Sequence, residues 1–128
     1  MLNDPILLDT SVWVEYFRRK LSPHKETVKT MIETGQVATC GVVYLELMRG
    51  IHAEGQQVSQ ILKEFRQLPI DWEVYEMAAQ ICRDLQRKGL QISLPDALIA
   101  ATAINADAPL YTVDGDFKKI AGLKLYKR

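Results

Sequence analysis

Short apolar runs alternate along this chain with longer stretches in which apolar residues recur every three or four positions. The first run, 5–8, ends at Asp9 and has the length of a buried strand. The other predicted strands are 36–40, 69–71, 109–113 and 123–126. Helical spacing fills the intervals, so the pattern predicts a mainly parallel sheet covered by helices on both faces, an α/β sandwich.

The predicted helices have recognisable beginnings and ends. Thr10 or Ser11 can cap the first helix, and Ser22-Pro23 opens a second helix that stops at Gly35. A third helix follows Gly41. Further helical segments are predicted over 54–68, 74–85 and 93–104, with a helical turn over 116–120.

Length and composition are those of one soluble globular domain. The chain has 128 residues and a mass of 14.6 kDa, so we expect a single domain over 1–128. With 48% hydrophobic and 25% charged residues, a disordered chain or a disulfide scaffold is excluded. The amino-terminal stretch lacks the charge and long apolar core of a secretory signal, and no apolar run is long enough to span a bilayer. We therefore expect a cytoplasmic protein with no membrane contact.

Net charge and cysteine usage narrow the function classes further. Lys plus Arg and Asp plus Glu each number 16, which argues against nucleic-acid binding by overall charge but leaves local basic patches open. Cys40 and Cys82 lie in apolar surroundings and are predicted to be buried core residues rather than a disulfide or metal ligands. His24 and His52 make no zinc-binding spacing.

Acidic residues stand where predicted strands end or predicted helices begin. Asp9 ends the first strand, Asp114 follows the 109–113 strand, and Asp96 lies in the first turn of the most apolar helix. Glu46 interrupts an otherwise apolar helical face. Because ligand sites of such sheets lie beyond the carboxyl ends of the strands, we expect these acids to lie close together.

Each acid also has a purely structural interpretation. Asp9 can cap the next helix, Asp96 can offset the helix dipole, and Asp114 can be a turn residue. Glu46 can pair with Arg49 on an exposed helix face. Clustered together, however, carboxylates repel one another and stay ionised only with cations between them. Oxygen ligands suit Mg²⁺ or Mn²⁺, and such ions serve phosphodiester hydrolysis.

Four segments carry a pattern that extends over nearly the whole chain. They are ILLDTSVW at 6–13, ELMRG at 46–50, LPDALIAA at 94–101 and YTVDGDF at 111–117. In this order they resemble the motifs of PIN-domain ribonucleases, most closely the VapC toxins of bacterial and archaeal toxin–antitoxin pairs. The resemblance implies a PIN-like α/β/α sandwich and a Mg²⁺- or Mn²⁺-dependent endoribonuclease.

The resemblance also implies a role for each acid. Asp9 and Asp96 would be the principal metal ligands, with Glu46 and one or both of Asp114 and Asp116 completing the set. Glu46 is the candidate to orient or deprotonate the attacking water. We favour Asp114 as the fourth catalytic acid because it comes first after its strand, and expect Asp116 to cap the following turn.

Several further residues are expected to support the site. The resemblance implies that the hydroxyls of Thr10 or Ser11 and of Thr112 hold its carboxylates by hydrogen bonds. Basic residues near the acids are the candidates to contact RNA phosphates: Arg18, Arg19, Arg49, Lys118 and Lys119.

The toxin resemblance implies a homodimer and a cognate antitoxin. Two groups of apolar residues either offer a groove for a partner helix or belong to the core. These are Trp13, Tyr16 and Phe17 near the first acid, and Val58, Ile61, Leu62 and Phe65 on the fourth helix.

Two other functions fit parts of the sequence. Asp9-Thr10 at a strand end is also found in aspartate-nucleophile phosphatases, but these need a second aspartate where Ser11 stands. The alternative within the family is a non-catalytic PIN module that acts only as a protein-binding partner. The presence of all the expected acids argues against it.

Overall fold

The computed structural model describes residues 4–18, 20–50 and 55–128. Its sheet has four parallel strands in the spatial order β3-β2-β1-β4. The strands are β1 (Ile6–Leu8), β2 (Val37–Thr39), β3 (Arg66–Gln67) and β4 (Leu110–Tyr111). Every residue of β1 is buried, and successive side chains of a strand point to opposite faces, so both faces of the central sheet are covered. The predicted parallel α/β sandwich is confirmed.

Helices connect consecutive strands. They are α1 (Thr10–Phe17), α2 (Pro23–Glu33), α3 (Gly41–Gly50), α4 (Gly55–Lys63), α5 (Trp72–Arg87) and α6 (Leu94–Asn105), followed by a 3₁₀ turn at Gly115–Lys119. Ser22 caps α2 and Ser93 caps α6, each with a hydroxyl that accepts a backbone N–H of the first turn. In α1, by contrast, the N-cap position is Asp9 rather than Thr10 or Ser11, and the Asp9 side chain makes no capping hydrogen bond.

The core lies between the sheet and the helices. Trp13 is fully buried, with its ring 5.7 Å from that of Phe17 and 5.6 Å from that of Phe65. Both cysteines are free thiols. Cys40 is buried as predicted, whereas Cys82 is only partly buried at the edge of the core.

Several predicted elements differ from the structure in position or extent. Helix α4 ends at Lys63 instead of continuing to 68, and β3 lies at Arg66–Gln67 instead of 69–71. Both β3 side chains are exposed, so this edge strand gives no hydrophobic signal and is held by backbone pairing with β2. The predicted last strand, 123–126, contributes a single parallel bridge between Leu125 and Leu110.

None of the helices in the described part of the chain is long and apolar enough to cross a membrane.

Gly89 ends α5 in a left-handed conformation with φ +74°, and the N–H of Leu90 donates to the carbonyl of Leu85. We expect Gly89→Ala to lower the free energy of unfolding by about 1 kcal/mol, because alanine adopts this backbone conformation only with strain. Urea denaturation measures the change. Gly41→Ala is the matched control, since its Cβ meets open space at an ordinary φ, and an equal loss there would contradict the explanation.

Candidate active site

Asp9 directly follows β1, and the residue is 4% exposed. Two hydroxyls donate to the same oxygen, Oδ2: Ser11 Oγ at 2.7 Å and Thr112 Oγ1 at 2.8 Å. A buried carboxylate needs such partners, because leaving it without hydrogen bonds is costly. The Asp9 side chain therefore accepts hydrogen bonds from these two hydroxyls and does not cap α1.

The same two hydroxyls also hold the segment that follows β4. The backbone N–H of Asp114 donates to Thr112 Oγ1 at 3.0 Å, and that of Val113 donates to Ser11 Oγ at 3.2 Å. Each hydroxyl thus links the Asp9 carboxylate to a backbone amide of the fourth motif. The network fixes the ends of β1 and β4 relative to one another.

Glu46 is brought to this edge by α3 and is partly buried. Thr10 Oγ1 donates to its Oε1 at 2.7 Å, which joins the first turn of α1 to the middle of α3. Among the described residues, the ion pairs are Arg18–Glu15, Arg87–Asp84 and Lys124–Asp107, so Glu46 is not paired with Arg49.

Asp96 lies in the first turn of α6 and is partly buried. Burial raises the pKa of its carboxyl group above the usual value, and the neighbouring charges of Asp9, Glu46 and Asp114 add to the increase. A hydrogen bond from Ser93 acts in the opposite direction. The charges of three acids from three other segments of the chain therefore act on Asp96.

The structure corrects the expected division of roles between Asp114 and Asp116. The 3₁₀ turn begins at Gly115, one residue earlier than predicted, so Asp114 is the N-cap. Its Oδ1 accepts the backbone N–H of Asp116 at 2.9 Å. The prediction that Asp116 caps the turn is wrong, and Asp116 is exposed. Asp114 is the acid that adds to the charge around Asp96.

The basic residues proposed from the sequence as RNA contacts differ in their exposure and in their side-chain partners. Arg18 is exposed and paired with Glu15 at 3.0 Å, and Arg49 is exposed in the last turn of α3. The Nζ of Lys119 donates to the carbonyl of Gln91 across to the α5–α6 loop, whereas Lys118 is exposed. Arg19 lies outside the described residues.

Most of the apolar residues considered for a partner groove belong to the core. Trp13, Val58 and Leu62 are buried. Tyr16, Phe17 and Phe65 are partly buried and pack against the core, whereas Ile61 is exposed. Phe17 also lines a cavity of about 260 Å³ between α1 and α3, which reaches Thr10 and Glu46.

Sequence reasoning did not place Cys40 and His24 beside the site. Cys40 is buried just before α3, and burial raises the pKa of its thiol, with a smaller contribution from the charges of Asp9 and Glu46. His24 Nδ1 lies 2.5 Å from the hydroxyl of Tyr111, the residue before Thr112. These partners are 87 positions apart in sequence, so only the folded chain shows the contact.

The donor set of this edge suits a hard divalent cation. Its side chains offer carboxylate and hydroxyl oxygens, and a cation would offset the repulsion that Asp9, Glu46 and Asp114 exert on Asp96. No three acidic, His or Cys side chains in the described ranges form a ready-made metal cage. Mg²⁺ does not need one, because it keeps several waters and is usually bound through one or two carboxylates.

Comparison with known proteins agrees with this geometry. The family model for the PIN domain matches residues 6–123. The chain belongs to the PIN-domain family. Within it, the chain belongs with the VapC proteins, as the resemblance of its four motifs predicted.

Two relatives support this placement. The chain is 34% identical to Ribonuclease VapC1 of Methanocaldococcus jannaschii over 128 residues, which cover 96% of this chain and 88% of that protein. It is 33% identical to Ribonuclease VapC11 of Mycobacterium tuberculosis over 122 residues, 91% of each chain.

A solved structure supports the fold. The VapBC2 complex from Rickettsia felis, bound to a DNA fragment from its promoter, contains a chain that matches with a TM-score of 0.80 at 22% identity. The match covers 98% of both chains, so this PIN domain has the fold of that protein throughout.

Neutralising a single acid of this PIN domain should leave its fold intact. We expect Asp9→Asn and Asp96→Asn to melt, in EDTA, at the same or a higher temperature than the parent, because each removes repulsion and neither side chain is needed as a helix cap. Differential scanning calorimetry checks this. Ser93→Ala is the control, since it removes a genuine cap and should cost about 1 kcal/mol. Unfolding of either Asn variant would contradict the site assignment.

The stabilisation in Asp96→Asn should depend on pH. The pKa of Asp96 is higher in the folded than in the unfolded chain, so its ionisation costs stability. That cost is present above the folded-state pKa and vanishes as the pH falls below the usual value of 3.8. We therefore expect the difference in melting temperature between variant and parent to be largest near neutral pH and to disappear in acid. A difference that grows in acid would contradict this cause.

Proposed function

We propose that this chain, acting as one domain, is an endoribonuclease that hydrolyses RNA phosphodiester bonds with Mg²⁺ or Mn²⁺, and that it is the toxin of a toxin–antitoxin pair. The observation that carries the proposal is the hydroxyl-held Asp9 carboxylate within a group of four acids. Its curated relatives are named as ribonucleases, which supports the reaction class.

Asp9 and Asp96 would hold the cation, with Glu46 and Asp114 completing its acidic surroundings. A bound divalent cation supplies activation of water and neutralisation of charge developing on the phosphate. The hydroxyls of Ser11 and Thr112 keep the Asp9 carboxylate in one orientation, so that it need not rearrange when the ion and RNA bind.

Glu46 is the residue that orients the attacking water and accepts its proton. The hydroxyl of Thr10 fixes Oε1 of Glu46, which restricts the rotation of the side chain. Because Asp9 and Thr10 are adjacent in sequence, the turn between β1 and α1 controls the ligand Asp9 directly and the base Glu46 through one hydrogen bond. The backbone conformation at residues 9–10 therefore positions both the metal ligand and the base.

An antitoxin is the partner that we assign to the cavity between α1 and α3. Val14, Phe17 and Leu47 make its lining largely apolar, and Glu46 stands at its border. An apolar partner segment can fill this cavity while a basic side chain reaches Glu46. A homodimer is also part of the proposal, and the exposed Trp72–Tyr75 pair provides apolar surface that such an interface would bury.

We also infer a cytoplasmic location. The free thiols of Cys40 and Cys82 fit a reducing compartment.

Cleavage should require a divalent cation. We expect the purified chain, free of antitoxin, to cut single-stranded RNA with Mg²⁺ or Mn²⁺, and excess EDTA to abolish this. Denaturing gel analysis of a labelled RNA measures cleavage, with Asp9→Asn as the inactive control for contaminating nucleases. Equal cutting in EDTA would refute the metal mechanism, whereas intact RNA under all metal conditions would favour the non-catalytic module.

Asp114 and Asp116 should differ in activity and not in stability. Asn at position 114 can still accept the backbone N–H of Asp116, so Asp114→Asn should keep its melting temperature while losing most of its cleavage rate. Asp116→Ala should retain activity and stability, because Asp116 is exposed and does not cap the turn. The manganese dependence of cleavage for both variants decides this. A larger shift for Asp116→Ala would reverse the assignment.

A further inference from the structure

We propose that the groove between the 3₁₀ turn and the carboxyl-terminal segment binds the phosphates of a single RNA strand as it leaves the acidic site, with Lys118 and Lys127 as the contacts. This inference rests on the proposed ribonuclease function. The groove has a volume of about 380 Å³ and begins at Thr112 and Asp114, two residues of the site itself. It is therefore continuous with the place where the scissile phosphate would bind.

The charges along the groove fit a phosphate backbone. Lys118 from the 3₁₀ turn and Lys127 from the carboxyl-terminal segment both line it, and both are exposed. In the described part of the chain, neither lysine belongs to an ion pair. A strand that approaches four carboxylates needs cationic contacts beyond the metal, and these two lysines supply them on one side.

Two lysines that are close in sequence to Lys118 and Lys127 make contacts outside the groove. Lys119 donates to the carbonyl of Gln91, and Lys124 is held by Asp107 at 2.7 Å, in a cavity at the opposite, amino-terminal edge of the sheet. Lys118 and Lys127 therefore line the groove, whereas Lys119 and Lys124 make contacts elsewhere. Position in the sequence alone does not show this difference.

The two grooves beside the acidic site have opposite character. The α1–α3 cavity is largely apolar, and its basic residue Arg18 is already paired with Glu15. The groove at the 3₁₀ turn is lined by two lysines together with the aromatic residue Tyr126. Lysines along a groove with an aromatic side chain are the features by which proteins hold single-stranded nucleic acid. RNA and the protein partner are therefore assigned to different sides of the site.

The wall of this groove is anchored in the sheet. The N–H of Tyr126 donates to the carbonyl of Leu110 at 2.8 Å, and its ring lies 5.0 Å from that of the buried Tyr111. Tyr111 is held in turn by His24. The segment that carries Lys127 is thus fixed next to the site, so that RNA binding does not have to order it first.

The test compares Lys118→Gln, Lys127→Gln and their double variant with Lys124→Gln, a charge-matched control from the same segment. Affinity for a labelled mixed-sequence single-stranded RNA is measured by fluorescence anisotropy in the Asp9→Asn background, over a range of salt concentrations. Cleavage is measured without the Asp9 substitution. We expect each groove variant to bind about two- to fivefold more weakly. The slope of log affinity against log salt should fall by about 0.7 per lysine.

In cleavage, the double variant should raise KM with little change in kcat, while Lys124→Gln matches the parent. Equal effects of all three single variants would overturn the groove in favour of a general charge effect. A parent that cleaves RNA while the double variant keeps its KM and affinity would overturn the inference and leave the proposed function standing. If the groove variants bound duplex RNA more weakly than the parent but bound single-stranded RNA equally well, this would also overturn the inference. A parent that neither cleaves nor binds RNA would overturn both.

Discussion

The buried carboxylate of Asp9 is the constraint on which the rest of this site depends. It sits at the end of the central strand β1, where an ionised group must find hydrogen bonds within the protein. One donor, Ser11, comes from the helix that follows Asp9, and the other, Thr112, comes directly after the neighbouring strand β4. Satisfying this charge therefore requires β1 and β4 to lie side by side in the observed register, so the fold and the site are fixed together.

Three further acidic residues lie in the electrostatic surroundings of Asp9. Carboxylates from β1, α3, α6 and the fourth motif converge, and burial with mutual repulsion raises the pKa of Asp96. Within the described ranges, hydroxyls and not cationic side chains hold Asp9 and Glu46 in place, so no ion pair there offsets their negative charge. A site of this kind suits a divalent cation and the phosphate that follows it. The surfaces beside it then divide into one apolar and one basic groove.

Much of the fold could be read from periodicity because the buried strands and amphipathic helices carry it. The run ending at Leu8 and the apolar face of α5 are examples. Prediction failed where the structure depends on backbone pairing alone. Arg66 and Gln67 form β3 with exposed side chains, and Phe65 continues the apolar spacing of α4 although it packs on Trp13 after the helix has ended. Local pattern does not distinguish these cases.

The sequence by itself determined the parallel α/β architecture, the four motifs and the acids at strand ends and helix starts, because these follow from residue type and local spacing. Only the tertiary structure decided which group each acid binds by a hydrogen bond. It showed Asp9 bound to Thr112, Glu46 bound to Thr10, and Asp114 in place of Asp116 as the cap of the 3₁₀ turn. It also separated Lys118 from Lys119 by a contact with Gln91. These choices depend on hydrogen bonds between residues far apart in the chain or on the residue at which a turn begins, and neither is encoded in periodicity.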